Sequence, residues 1–112
     1  MITLNDHQSK IKKIVDEFDF RWSLYVQYIH LIEETAELGE AITVYKGDRK
    51  AGSGEAALAD HADLKEEIGD LLFSILAIAN ELNINTEQAL KLAYSRYKRK
   101  LNKLMISRKI TC

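Results

Sequence analysis

The sequence predicts an all-α protein organised as a single domain, and three observations carry that prediction. No proline occurs in the 112 residues, so nothing in the chain forces a helix to break. Apolar residues recur at three- and four-residue spacing over long stretches, which is the period of an amphipathic helix. Three of the five glycines collect between positions 47 and 54, leaving one segment that reads as a connection.

Four helices follow in order. Thr3 and Asp6 resemble a capping box, and Ile11, Ile14, Val15 and Phe18 then share a face, so the first helix is expected over about residues 4–18. Asp19 is the expected cap of a second helix running through Trp22, Val26, Leu31 and Leu38 to about Lys46, where Gly47 supplies the stop. Its apolar side chains fall on two arcs, with Glu33, Glu34, Glu37 and Glu40 in a gap between them. The glycine-bearing segment 47–59 has two readings, a lid or binding loop and a plain insertion. Asp60 is the expected cap of a third helix that is apolar around almost its whole circumference, apart from a strip of Glu67, Asp70, Ser74 and Glu81. Asn85 and Gln88 form a second candidate capping box, opening a last helix rich in lysine and arginine from Tyr94 to Lys103. Helices two and three carry more apolar surface than a four-helix monomer of this size can cover. The expectation is therefore a homo-oligomer, a homodimer or homotetramer with a helical bundle built between subunits.

Composition narrows the function. Hydrophobic residues make up 46% and charged residues 29%, with a formal net charge of -1, which lacks the basic signature of a nucleic-acid or membrane-surface binder. The one cysteine is Cys112, so no disulfide closes within the chain. Met1 to Lys13 is polar and unlike a signal peptide, and Leu71 to Ala79 is too short an apolar run to span a bilayer. A cytoplasmic location is the resulting expectation.

The carboxylates carry the chemistry. Glu34 and Glu37 lie three residues apart, as do Glu67 and Asp70 about thirty residues later, so each pair shares a helix face. Acids on a solvated face ordinarily have lysine or arginine three or four residues away. Around Glu34 and Glu37 those positions hold His30, Leu31, Glu33, Leu38, Glu40 and Ala41; around Glu67 and Asp70 they hold Asp63, Leu64, Glu66, Leu71, Phe73 and Ser74. If the two helices pack together, each like-charge pair at about 4 Å costs roughly 4 kcal/mol at an effective dielectric of about 20. Protonation, bases from elsewhere or a bound cation relieve that cost. An all-oxygen set suits Mg²⁺ or Mn²⁺, and no Cys/His spacing competes for zinc. His7, His30 and His61 read as surface or boundary residues.

The run Leu31-Ile-Glu-Glu-Thr-Ala-Glu-Leu-Gly-Glu-Ala41, followed by Glu66-Glu-Ile-Gly-Asp-Leu-Leu-Phe73, resembles the paired E-x-x-E and E-x-x-D signature of the MazG-like, all-α nucleoside triphosphate pyrophosphohydrolases. The likeness covers about residues 22–100. It implies Mg²⁺ held by Glu34, Glu37, Glu67 and Asp70, and hydrolysis of a nucleoside triphosphate between the α and β phosphates to a monophosphate and pyrophosphate, as in nucleotide-pool house-cleaning. The family's third-helix asparagine falls on Asn80. In the last helix the family's Lys, aromatic and Arg-Asp pattern is met by Arg96-Tyr97-Lys98-Arg99-Lys100-Leu101, which retains the charge and loses the acid. Arg96, Lys98 and Lys100 are candidate phosphate contacts, set against a plain role in complementing the helix dipole. Trp22, Tyr25 and Tyr28 are candidates for stacking on a base, set against aromatic core, above all for Trp22. Two alternatives stand beside this reading: a related pyrophosphohydrolase of the phosphoribosyl-ATP or dUTP/dCTP type, and a non-enzymatic helical module engaging a basic partner.

Overall fold

The computed structural model describes residues 1–19, 21–47 and 61–111. They form four helices, α1 (Leu4–Glu17), α2 (Leu24–Tyr45), α3 (His61–Glu81) and α4 (Thr86–Thr111), with no strand among the described residues. The all-α expectation is met. The segment 48–59 and its lid-or-insertion question lie outside the described residues, as does Asp60.

The local signals act mostly where the sequence puts them. Thr3 and Asp6 form a reciprocal capping box at the start of α1, satisfying two backbone donors that the first turn leaves open. Asn85 Oδ1 accepts the backbone N–H of Gln88 at 3.0 Å, which makes Asn85 the cap of α4. Gly47 ends α2 with φ +79°, a backbone conformation that costs glycine nothing. The start of α2 differs from expectation. Its cap is Ser23, whose hydroxyl accepts from Val26 N, whereas Asp19 has φ 51° and turns the chain just after α1. Aspartate tolerates that left-handed geometry better than most side chains, so Asp19 ends one helix instead of opening the next.

Packing is concentrated between α2 and α3, with α1 laid on α3 and α4 joined chiefly to α1. The α1–α4 junction is polar. Gln8 is buried and donates from Nε2 to Ile84 O at 2.7 Å, while its Oε1 accepts from Thr86 N at 3.0 Å and Thr86 Oγ1 at 2.6 Å. Asn5 Nδ2 donates to Glu87 Oε2 at 2.6 Å. These bonds hold the first turn of α4, a helix of 26 residues and so about 39 Å long.

The buried apolar set among the described residues is small: Val44, Leu76 and Ala79. The reading of α3 as a buried helix is therefore not met within one chain. Ile68, Leu72, Phe73 and Ile75 are each more than two-fifths exposed, because among the described residues α3 is covered chiefly by α1 and α2. The radius of gyration is 18.5 Å, against about 13 Å for a compact domain of about 100 residues. No helix among the described residues is long and apolar enough to cross a membrane.

Candidate metal centre

Because α2 and α3 pack together, their acids meet. Glu34 from α2 and Glu67 and Asp70 from α3 each offer one carboxylate oxygen, and these atoms lie within 4.8 Å of one another. Glu34 is buried, Glu67 half-buried and Asp70 exposed, so the group opens to solvent on the Asp70 side. Glu34 Oε2 and Glu67 Oε2 are both buried without a hydrogen-bond partner. Among the described residues, no lysine or arginine pairs with any of these three. Glu37, one turn beyond Glu34 on α2, is exposed and lies outside that tight trio, yet its charge acts on both Glu34 and Glu67.

The electrostatics follow from this crowding. Burial, then the negative charge of Glu37, then further neighbouring carboxylates push the Glu34 and Glu67 carboxyls above their usual range. His30 opposes the rise at Glu34. Its Nε2 stands 3.2 Å from Glu34 Oε1 across one helical turn. The orphaned buried oxygens on two adjacent acids, in an all-oxygen donor set, fit a hard divalent cation such as Mg²⁺ or Mn²⁺.

Beside the acids is a cavity of about 300 Å³ walled by all three packed helices and the α1–α2 connection. Lys12, Val15 and Asp16 come from α1, Arg21 and Trp22 from the connection, Gln27 and His30 from α2, and Phe73, Ser74, Ala77, Asn80 and Glu81 from α3. Trp22 meets His30 edge to face, with ring centroids 5.1 Å apart, so the cavity and the acid cluster share a wall.

The residues singled out from sequence are distributed unevenly around this centre. Glu34, Glu67 and Asp70 converge, with Glu37 at the rim. Trp22 and Asn80 line the cavity, and Asn80 also donates from Nδ2 to Gln8 O at 3.0 Å, which ties α3 to α1. Tyr25 is 84% exposed and outside the cavity wall. Arg96 and Lys100 flank the Tyr97 ring, at 5.8 and 5.6 Å from its centroid, and Lys98 borders a separate shallow depression on α4. None of these three basic residues lines the cavity. Lys12 and Arg21 do line it, and sequence reasoning missed both; Arg21 is paired with Asp16. His30 was missed as well, although its position four residues before Glu34 was the available signal.

Helical acids spaced by three residues on two packed helices, beside a cavity with aromatic walls, match the paired-acid pattern that the sequence shares with the all-α nucleotide pyrophosphohydrolases. The chain belongs to the MazG family: residues 25–105 match the MazG nucleotide pyrophosphohydrolase domain. It is 30% identical over 88 residues to the uncharacterized protein YpjD of Bacillus subtilis (strain 168), covering 78% of this chain and 76% of that one. The crystal structure of YPJD from Bacillus subtilis, provisionally described as a pyrophosphatase, superposes with a TM-score of 0.71 at 25% identity, covering 85% of this chain and 92% of that one.

Proposed function

We propose that this nucleotide pyrophosphohydrolase is a Mg²⁺-dependent enzyme, with Mn²⁺ as a substitute, that cleaves a nucleoside triphosphate between the α and β phosphates to give a monophosphate and pyrophosphate. The observation that carries the reading is the pair of buried, unpartnered oxygens on Glu34 and Glu67 within the Glu34, Glu67 and Asp70 cluster. Family membership supports the reaction class.

Glu34, Glu67 and Asp70 would hold the cation, with Glu37 as the fourth acid on the exposed side. A metal bound there would supply charge neutralisation for the phosphate oxygens and a lowered pKa for the attacking water. The protein supplies the rest. A carboxylate of this set accepts the proton that the water loses. Trp22 offers an aromatic edge to the base within the cavity and Asn80 an amide, while Tyr25 acts only from outside it. Ser74, Gln27 and Glu81 give the cavity further polar groups to orient the nucleoside.

Arg96, Lys98 and Lys100 then serve a site other than that of their own chain. The protein is a homodimer or homotetramer in which α4 of one subunit lies along α2 and α3 of another, bringing these cations to the leaving pyrophosphate. Support comes from the large radius of gyration and from exposed apolar side chains on both surfaces, including Ile68, Leu72 and Phe73 on α3 and Leu101, Leu104 and Met105 on α4. The enzyme acts on free nucleotides in the cytoplasm, with no nucleic-acid or membrane partner. Measuring pyrophosphate release from the common ribo- and deoxyribonucleoside triphosphates and phosphoribosyl-ATP, with and without Mg²⁺, tests the proposal. Metal-dependent release from at least one of them is expected; none from any of them, with Mg²⁺ or Mn²⁺ present, contradicts it.

A further inference from the structure

We propose that His30 is a positioning residue for the metal centre, fixing the Glu34 carboxylate through one oxygen so that the other is presented to the cation. This inference rests on the metal-centre reading above and extends it to a residue outside the acid set.

His30 Nε2 is 3.2 Å from Glu34 Oε1, within the distance at which a ring N–H can be turned toward a carboxylate oxygen. Glu34 Oε2 is left buried and without a partner, so it is the atom free to ligate. The imidazole is itself held, because Trp22 meets it edge to face at 5.1 Å with an interplanar angle of 80°. A glutamate with no such anchor has two further side-chain torsions free to turn its ligand oxygen away. The Glu34 side chain is 12% exposed and that of His30 36%, so the carboxylate end of the contact is the part shielded from water. Outer partners of this kind typically change metal affinity by about 10- to 100-fold when removed.

The position of His30 makes the role specific to one ring atom, and that supplies the test. Glutamine at this position places an amide nitrogen about where Nε2 stands; asparagine, one methylene shorter, does not reach, and leucine fills space with no donor. Mn²⁺ binding to the nucleotide-free protein is to be titrated by electron paramagnetic resonance for the wild type, Glu34→Gln, His30→Gln, His30→Asn and His30→Leu, with helix content checked by circular dichroism. The expected result is a dissociation constant raised about tenfold or more in His30→Leu and His30→Asn, and kept within about threefold in His30→Gln. Unchanged affinity in His30→Leu overturns the proposal, and so does an equal loss in His30→Gln and His30→Leu, because the bulk of the ring would then be what matters. If wild type and Glu34→Gln bind Mn²⁺ alike, the metal centre itself is wrong and the role of His30 falls with it.

Discussion

The α2–α3 interface and the long helix α4 use similar apolar side chains for opposite ends. Between α2 and α3 the apolar contact is made within the chain, and it brings Glu34 against Glu67 and Asp70. On α4 the apolar residues Leu90, Leu92, Leu101, Leu104, Met105 and Ile106 are all more than half exposed, and the helix is held mainly through the polar bonds of its first turn. Water penalises both surfaces alike. The difference teaches that the first region gathers acids through contacts made within the chain, whereas the second leaves its apolar residues uncovered and carries cations. On the proposed function, acids in one region and bases in the other are the two halves that binding of a triphosphate with its metal requires.

The largest effect is expected in the first region. Glu67→Gln preserves shape and removes a charge from the centre, so turnover should fall by about 100- to 1,000-fold with the circular dichroism spectrum unchanged. Steady-state rates near those of the wild type would show that Glu67 is a bystander. In the second region, Leu101→Glu combined with Leu104→Glu places charge on the exposed stripe of α4. Light scattering should then report a particle of 12.8 kDa in place of a multiple of it, with activity lost in parallel. If the wild type is already a monomer of that mass, the division of labour between the two regions is wrong.

A smaller effect separates the cations. Lys100→Ala should raise KM about tenfold, equivalent to about 1.4 kcal/mol, and Lys12→Ala should raise it less, because the proposed assembly has α4 deliver its charge to a neighbouring site. The reverse order would place phosphate recognition within the chain's own cavity.

How far the sequence reached can be judged from these same residues. Glu34, Glu67 and Asp70 were legible because helical spacing fixes which side chains share a face, and because the flanking positions hold no lysine or arginine. The gathering of those acids required only that α2 and α3 pack, which their apolar faces ensure. Gln8 was not legible: its partners Ile84 and Thr86 are more than seventy residues away, and no local pattern marks such a bond. The error over Asp19 has a local cause, since Asp and Ser are both good caps and sequence alone cannot rank Asp19 against Ser23. The expected burial of α3 follows from its apolar circumference, but periodicity does not say which chain provides the cover. The shared role of Trp22, His30 and Asn80 as one cavity wall likewise depends on how α1 lies across α3.

The smallest effect is on stability without metal. In the folded chain Glu34 and Glu67 titrate above their ordinary value of 4.5. Between that value and the raised one, the folded state binds more protons than the unfolded state, so the stability that these groups contribute is complete below the ordinary value and is lost as pH rises through the raised one. At pH 8 Glu67→Gln should therefore have a higher Tm than the wild type, and the gap should close on acidification to pH 4. Added Mg²⁺ should stabilise the wild type and not the variant. A variant less stable than the wild type at pH 8 would mean that Glu67 is satisfied in the native state.

The central claim is that the acids and bases together act on the bond between the α and β phosphates. The direct measurement is hydrolysis of a nucleoside triphosphate in ¹⁸O-labelled water with Mg²⁺, followed by mass spectrometry of the products. Nucleoside monophosphate and pyrophosphate are expected, with the label in the monophosphate if water attacks the α phosphorus and in pyrophosphate if it attacks the β phosphorus. Accumulation of nucleoside diphosphate with labelled orthophosphate would contradict the account.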